Sequence, residues 1–220
     1  MTLEELAKRI DHTILKPDAT DSDVLKVVDE AMNYGFRAVC INSSFVPLVA
    51  DKLESTGILT CSVVGFPLGA ASTEAKAFEA KWAVENGADE LDMVMHIGHF
   101  KSGLYSYIVS DIRAVVEAAN GKHVKVIIET AYLTDDEKEK AVELVAKGGA
   151  HFVKTSTGFG PGGATAHDVA ILARKAKEFG LKVKAAGGIR DFQTAMEMIN
   201  AGADVIGASK SVNIIATYIK

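Results

Sequence analysis

Lys154, in Phe152-Val153-Lys154-Thr155-Ser156-Thr157-Gly158, and Lys184, in Val183-Lys184-Ala185-Ala186-Gly187-Gly188, each sit inside a short apolar run that reads as a buried strand. An unpaired ammonium in such a place is costly and tends to give up its proton. Two of them on neighbouring strands would lower each other's proton affinity, and an uncharged lysine attacks carbonyl carbon. The chemistry predicted is Schiff-base formation. Strand side chains alternate between faces. In Glu90-Leu91-Asp92-Met93-Val94, Leu91 and Met93 suit the apolar side, which turns Asp92 inward with the two lysines. Asp11, in Ile10-Asp11-His12-Thr13, is a fourth inward charge near the end of a first strand. Two positive and two negative groups can neutralise one another. The alternative is an ion-pair network that only packs the interior, but such networks are weak stabilisers.

The elements that must hold these residues follow one repeating pattern. A helical stretch ends at a glycine, and an apolar strand follows; the glycines are Gly35, Gly57, Gly87, Gly121, Gly149, Gly180 and Gly202. Glycine there ends a helix in the left-handed conformation and turns the chain into the next strand. The predicted strands are Ile10–Leu15, Ala38–Asn42, Thr60–Gly65, Glu90–Met95, Lys125–Glu129, Phe152–Thr155, Val183–Ala186 and Val205–Ala208. Helix starts carry their own signals, such as the capping boxes Thr2–Glu5 and Thr134–Glu137. Alternating strands and helices imply parallel pairing with right-handed crossovers. Eight such units predict an α/β fold, a (β/α)8 TIM barrel, in a single compact domain over residues 1–220 with a short N-terminal helix. A doubly wound open sheet is the runner-up. It usually has a Gly-rich turn after the first strand, where this chain has Leu15-Lys16-Pro17-Asp18.

In a barrel the four charges belong at the C-terminal mouth, where the loops build active sites. The turns after the seventh and eighth strands, Ala186-Gly187-Gly188-Ile189 and Ile206-Gly207-Ala208-Ser209-Lys210, are small-residue stretches leading into helices, a usual cradle for phosphate. The glycine-rich run Thr157-Gly158-Phe159-Gly160-Pro161-Gly162-Gly163 lacks the rest of a dinucleotide fingerprint and reads as a mobile loop over the site. Thr155, next to Lys154, is a candidate substrate contact. Cys40 has inward parity and either lines the pocket or serves as a structural thiol. Glu129 reads equally as a pocket residue or as a lysine's partner. His96 and His99 lack the Cys or carboxylate company of a zinc site.

Bulk properties narrow the classes. The 220 residues are 48% hydrophobic and 24% charged, which suits a soluble globular chain. The net charge of −5 argues against a broad nucleic-acid footprint. Cys40 and Cys61 lie in apolar runs, as reduced thiols would. The N-terminus is amphipathic, unlike a signal peptide, and no apolar run approaches a membrane span. The expectation is a cytoplasmic protein with no nucleic-acid or membrane partner, no metal and no cofactor. The barrel's helical exterior leaves room for a homo-oligomer, dimer or tetramer.

Ile10-Asp11-His12-Thr13-Ile14-Leu15-Lys16-Pro17, Val39-Cys40-Ile41-Asn42, Val64-Gly65-Phe66-Pro67-Leu68-Gly69, Glu90-Leu91-Asp92-Met93-Val94, Lys125-Val126-Ile127-Ile128-Glu129, Phe152-Val153-Lys154-Thr155-Ser156-Thr157-Gly158 and Val183-Lys184-Ala185-Ala186-Gly187-Gly188 together resemble the deoxyribose-phosphate aldolase family, in order and over essentially the whole chain. The resemblance implies a class I aldolase that reversibly cleaves 2-deoxy-D-ribose 5-phosphate into D-glyceraldehyde 3-phosphate and acetaldehyde. It further implies that Lys154 is the Schiff-base lysine, Lys184 the second lysine that depresses its pKa, and Asp92 the proton-relaying carboxylate supported by Asp11. Gly158, Gly187, Gly188, Gly207 and Ser209 resemble phosphate-loop positions. After Ser209 the family commonly has another small residue and then glycine, whereas this chain has Lys210-Ser211, which adds an ammonium there. Two other readings differ in kind. An isomerase would more often use a Glu base and a His electrophile, and a non-catalytic barrel would bind ligand without turnover.

Overall fold

The computed structural model describes residues 1–218. In its first half the order is α1 (Leu3–Ala7), β1 (Ile10–Thr13), α2 (Asp21–Tyr34), β2 (Ala38–Ile41), α3 (Val46–Leu53), β3 (Leu59–Val64), α4 (Thr73–Glu85), β4 (Glu90–Val94) and α5 (Ile97–Lys101). There follow α6 (Tyr105–Ala118), β5 (His123–Ile127), α7 (Asp135–Lys147), β6 (Phe152–Lys154), α8 (Ala166–Lys177), β7 (Lys182–Ala186), α9 (Phe192–Asn200), β8 (Val205–Ala208) and α10 (Ser211–Ala216). Each strand pairs in parallel with the next, and β1 pairs with β8, so the sheet closes on itself. That closure excludes the open doubly wound sheet.

All seven glycines expected to end helices have positive φ, from 67° at Gly35 to 114° at Gly202. Both capping boxes form, Thr2 with Glu5 and Thr134 with Glu137, so the helix starts were legible for the reason given.

Two apolar regions result. The larger lies between barrel and helices, where Val39, Ile41, Leu91, Met93, Val126 and Val153 point outward from the strands. The smaller lies inside, with Ala38, Cys40, Cys61 and Val63 from β2 and β3 packed against Leu15. The barrel interior is thus apolar at β2 and β3.

Strand ends differ from expectation where side chains took other work. The fifth strand runs His123–Ile127 rather than Lys125–Glu129, and Glu129 sits beyond it with φ at 52°. The first strand stops at Thr13, two residues short of Leu15, whose side chain turns into the inner cluster.

Candidate active site

Asp92 stands at the centre of the interior and is fully buried. Its Oδ2 accepts from Lys154 Nζ at 2.7 Å and from Lys184 Nζ at 2.7 Å. Strand register explains the meeting, because Lys154 on β6 is the direct partner of Lys184 on β7. The other oxygen, Oδ1, accepts from Lys125 Nζ at 3.0 Å and from Cys61 Sγ at 3.2 Å.

From Asp92 the contacts run in a closed loop. Lys184 also donates to Asp11 Oδ2 at 2.6 Å, and Asp11 Oδ1 accepts from Arg37 at 2.7 Å. Arg37 grips Glu90 through both Nη atoms, and Glu90 pairs with Lys125 at 2.7 Å. Lys125 then returns to Asp92. Six groups of alternating sign, Asp92, Lys184, Asp11, Arg37, Glu90 and Lys125, therefore close a ring, and Lys154 hangs from it by its single bond to Asp92.

Sequence reading found four of these seven charges and missed Arg37, Glu90 and Lys125. Glu90 and Lys125 were legible in principle. Glu90 shares the parity of Asp92, and Lys125 alternates with Val124 and Val126. Arg37 precedes β2, and only tertiary structure brings its guanidinium inside.

Burial and charge set the ionisation. Burial alone would strip the proton from Lys184, but Asp11 and Asp92 override it and hold its pKa well above the ordinary lysine range. The expected mutual lowering of two lysines thus fails for Lys184, because two carboxylates reach it as well. Burial works against the Asp11 carboxylate too, yet Lys184, Lys125 and Arg37 bring its pKa down to about 2. Asp92 is likewise held well below the usual range, against burial, by Lys125, Lys154 and Lys184. Cys61 is pushed up by its hydrogen bond with Cys40 and by burial, so it stays a thiol and can donate to Asp92.

A cavity of about 750 Å³ opens above this network, and Lys154 forms part of its wall. Asp92, Asp11 and Lys184 do not reach it. They lie beneath, so the expectation that all four charges sit at the mouth holds for Lys154 alone. Gly158, Gly187, Gly188, Gly207 and Ser209 all line the cavity. Gly207 also makes room for the lysine arm, since a Cβ there would come within 3.1 Å of Lys184 Cε. Thr155 lies outside the cavity. Its hydroxyl donates to Ala186 O at 3.0 Å and accepts from Ala186 N at 3.0 Å, which pins β6 to β7. Cys40 has the inward parity expected but packs in the inner apolar cluster, away from the cavity.

The glycine-rich loop after β6 covers one side. Glu129 holds it by accepting from the backbone N–H and hydroxyl of Thr157, which makes Glu129 a loop anchor rather than a lysine's partner. At the far end Ala164 N donates to Gly187 O at 3.0 Å. Between these ties, Phe159 lies edge-on to Phe66 at the rim, with ring centroids 5.3 Å apart.

Two groupings inside the barrel have the donor atoms of a metal site, Cys40–Cys61–Asp92 and Asp11–Cys61–Glu90. The ammonium and guanidinium groups of the ring already occupy those carboxylates. His96 and His99 stack at 3.7 Å and belong to neither grouping.

Comparison with known proteins identifies a family. A profile described as DeoC/LacD family aldolase matches residues 6–216. A deoxyribose-phosphate aldolase of Finegoldia magna is 54% identical, over 96% of this chain and 99% of that protein. One from Thermococcus kodakarensis is 54% identical, over 98% of this chain and 97% of that protein. A solved structure from Aeropyrum pernix, described as a tetrameric deoxyribose phosphate aldolase, superposes with a TM-score of 0.92. It is 39% identical and covers 98% of this chain and 91% of that one. No helix among the described residues is long and apolar enough to cross a membrane. On the profile, the relatives and the barrel together, the chain belongs to the DeoC/LacD family of aldolases.

Proposed function

We propose that this protein is a class I aldolase that reversibly cleaves 2-deoxy-D-ribose 5-phosphate to D-glyceraldehyde 3-phosphate and acetaldehyde through a Schiff base on Lys154. The observation that carries the assignment of roles is the sharing of one oxygen, Asp92 Oδ2, by Lys154 and Lys184. Lys154 is the only one of the seven interior charges that lines the cavity.

The ring of six is neutral by itself, three cations against three anions. Lys154 is the seventh group, and its ammonium would be the one uncompensated charge in a dry interior. As the free amine, Lys154 attacks C1 of the open-chain sugar. Water leaves and an iminium forms. The C2–C3 bond breaks as its electrons flow into the iminium, while the C3 hydroxyl gives its proton to Asp92 by way of cavity water and Lys184. Glyceraldehyde 3-phosphate departs. The enamine takes a proton at C2, and hydrolysis frees acetaldehyde and Lys154. Gly187, Gly188, Gly207 and Ser209 would bind the phosphate, with Gly158 on the facing loop.

Borohydride added with acetaldehyde should fix a covalent adduct on Lys154, located by peptide mass. Release of glyceraldehyde phosphate should disappear in Lys154→Ala. An active protein that gives no adduct, or turnover that survives Lys154→Arg, would reject the scheme. A role in deoxyribonucleotide breakdown in the cytoplasm is proposed with it, and the unpaired buried thiols Cys40 and Cys61 suit a reducing compartment. Assembly as a dimer or tetramer is proposed by analogy with the Aeropyrum pernix protein, and sedimentation would read it.

A further inference from the structure

The turn after β8 carries a cation whose position the rest of the fold fixes. Ser211 is fully buried; its hydroxyl donates to Ala208 O at 2.9 Å and meets His12 Nδ1 at 2.9 Å. With Ser211 facing inward, its neighbour Lys210 is exposed and lines the cavity beside Ser209. The Lys210 carbonyl is committed as well, accepting from Ile214 N at 3.1 Å. The turn is also tied to the one after β7. Asn213 donates to Arg190 O at 2.6 Å, and Phe192 N donates to Thr217 Oγ1 at 3.0 Å. Gly187, Gly188, Ser209 and Lys210 therefore belong to one cross-tied wall.

Lys16, Lys26 and Arg190 line the cavity as well as Lys210. Lys16 and Lys26 both act on Asp23, and Arg190 stands on the same cross-tied wall as Lys210. The remaining lining carboxylate, Glu30, is held by His12 at 2.7 Å. Among the described residues Lys210 has no carboxylate within ion-pair distance. A fixed backbone that presents an uncompensated ammonium into a cavity is complementary to an anion.

We infer that Lys210 is a specificity-determining residue for the phosphate group, gripping it directly and setting the preference for phosphorylated over unphosphorylated sugars. This rests on the reading of the cavity as a sugar-phosphate site. An ammonium contact is charge-assisted, and it is lost in full when the ligand lacks the phosphate.

The test compares wild type, Lys210→Ser, Lys210→Arg and Lys26→Ser in two measurements. The first is the ratio of kcat/KM for 2-deoxyribose 5-phosphate to that for 2-deoxyribose. The second is calorimetric binding of glycerol 3-phosphate, which needs no turnover. Lys210→Ser should lower the ratio about tenfold and weaken glycerol 3-phosphate by a similar factor. Lys210→Arg should recover most of both, and Lys26→Ser should shift each by less than about threefold. Glycerol 3-phosphate binding that is equal in wild type and Lys210→Ser overturns the inference, as does a loss in Lys26→Ser as large as in Lys210→Ser. If binding weakens in Lys210→Ser but wild type cleaves neither sugar, the phosphate contact stands and the aldolase reading falls.

Discussion

Lys154 and Lys184 share one carboxylate oxygen, yet their surroundings fit them for different work. Lys184 is held by two carboxylates and does not line the cavity, so it serves as a fixed cation. Lys154 has one carboxylate and an open side. Lys184→Met should therefore leave the nucleophile in place while removing the cation and part of the proton route. A fall in kcat of about a hundredfold or more is expected. Acetaldehyde trapping on Lys154 should persist in the variant, though more slowly. Trapping at the wild-type rate at neutral pH would show that the second lysine does not tune the first. Asp11 gives a separate, pH-resolved test. Its carboxyl, at about 2 in the folded protein against an ordinary 3.8, is ionised more readily folded than unfolded. The resulting stability is complete above about pH 4 and is lost as pH falls through the folded value near 2, and the difference corresponds to about 2 kcal/mol. Urea midpoints measured between pH 5 and pH 2 should fall less steeply in Asp11→Asn than in wild type. Parallel slopes would remove Asp11 from the charge ring's energetics.

Elements place these residues, and here the loop after β6 is the most sensitive part. Gly163 has an ordinary backbone, but a Cβ on it would lie 2.4 Å from Gly187 O and 2.7 Å from Gly187 C. Those are backbone atoms of the phosphate turn, so the clash cannot be relieved by a rotamer change. Gly163→Ala should force the two loops apart and weaken the Ala164–Gly187 hydrogen bond. The expected cost is about 1–3 kcal/mol of stability and a raised KM for the phosphorylated sugar, with kcat changed less. Unchanged KM would mean that the two loops do not form one wall. Sequence showed that this run was a loop over the site, yet not which glycine mattered, because the requirement comes from another strand's backbone. The same division recurs elsewhere. Helix-ending glycines and capping boxes are local, so strand number and order were legible. Inward parity exposed Lys154, Lys184, Asp92 and Asp11 for the same reason. What escaped was relational: Arg37 enters from outside its strand, Glu129 bends away to anchor Thr157, and the Thr155 hydroxyl is consumed by Ala186.

Across the whole molecule, the charged ring is a closing device as much as a chemical one. Its members come from β1, β4, β5 and β7 and from the residue just before β2, so it ties together five sectors of the barrel. A buried ring of this kind adds little stability relative to an apolar core, but removing one partner leaves a charge without compensation. Lys125→Met should therefore cost about 3–5 kcal/mol, because Glu90 and Asp92 both lose a cation while the ring takes on a net negative charge. That corresponds to a fall in Tm of roughly 10 °C for a chain of this size. The double variant Lys125→Met with Glu90→Gln restores neutrality and leaves Arg37 bound to Asp11. It should cost less than the sum of its two single variants, by about 1–3 kcal/mol. Denaturant unfolding of the four proteins reads this coupling directly. Strictly additive losses would mean that the ring is a set of independent pairs.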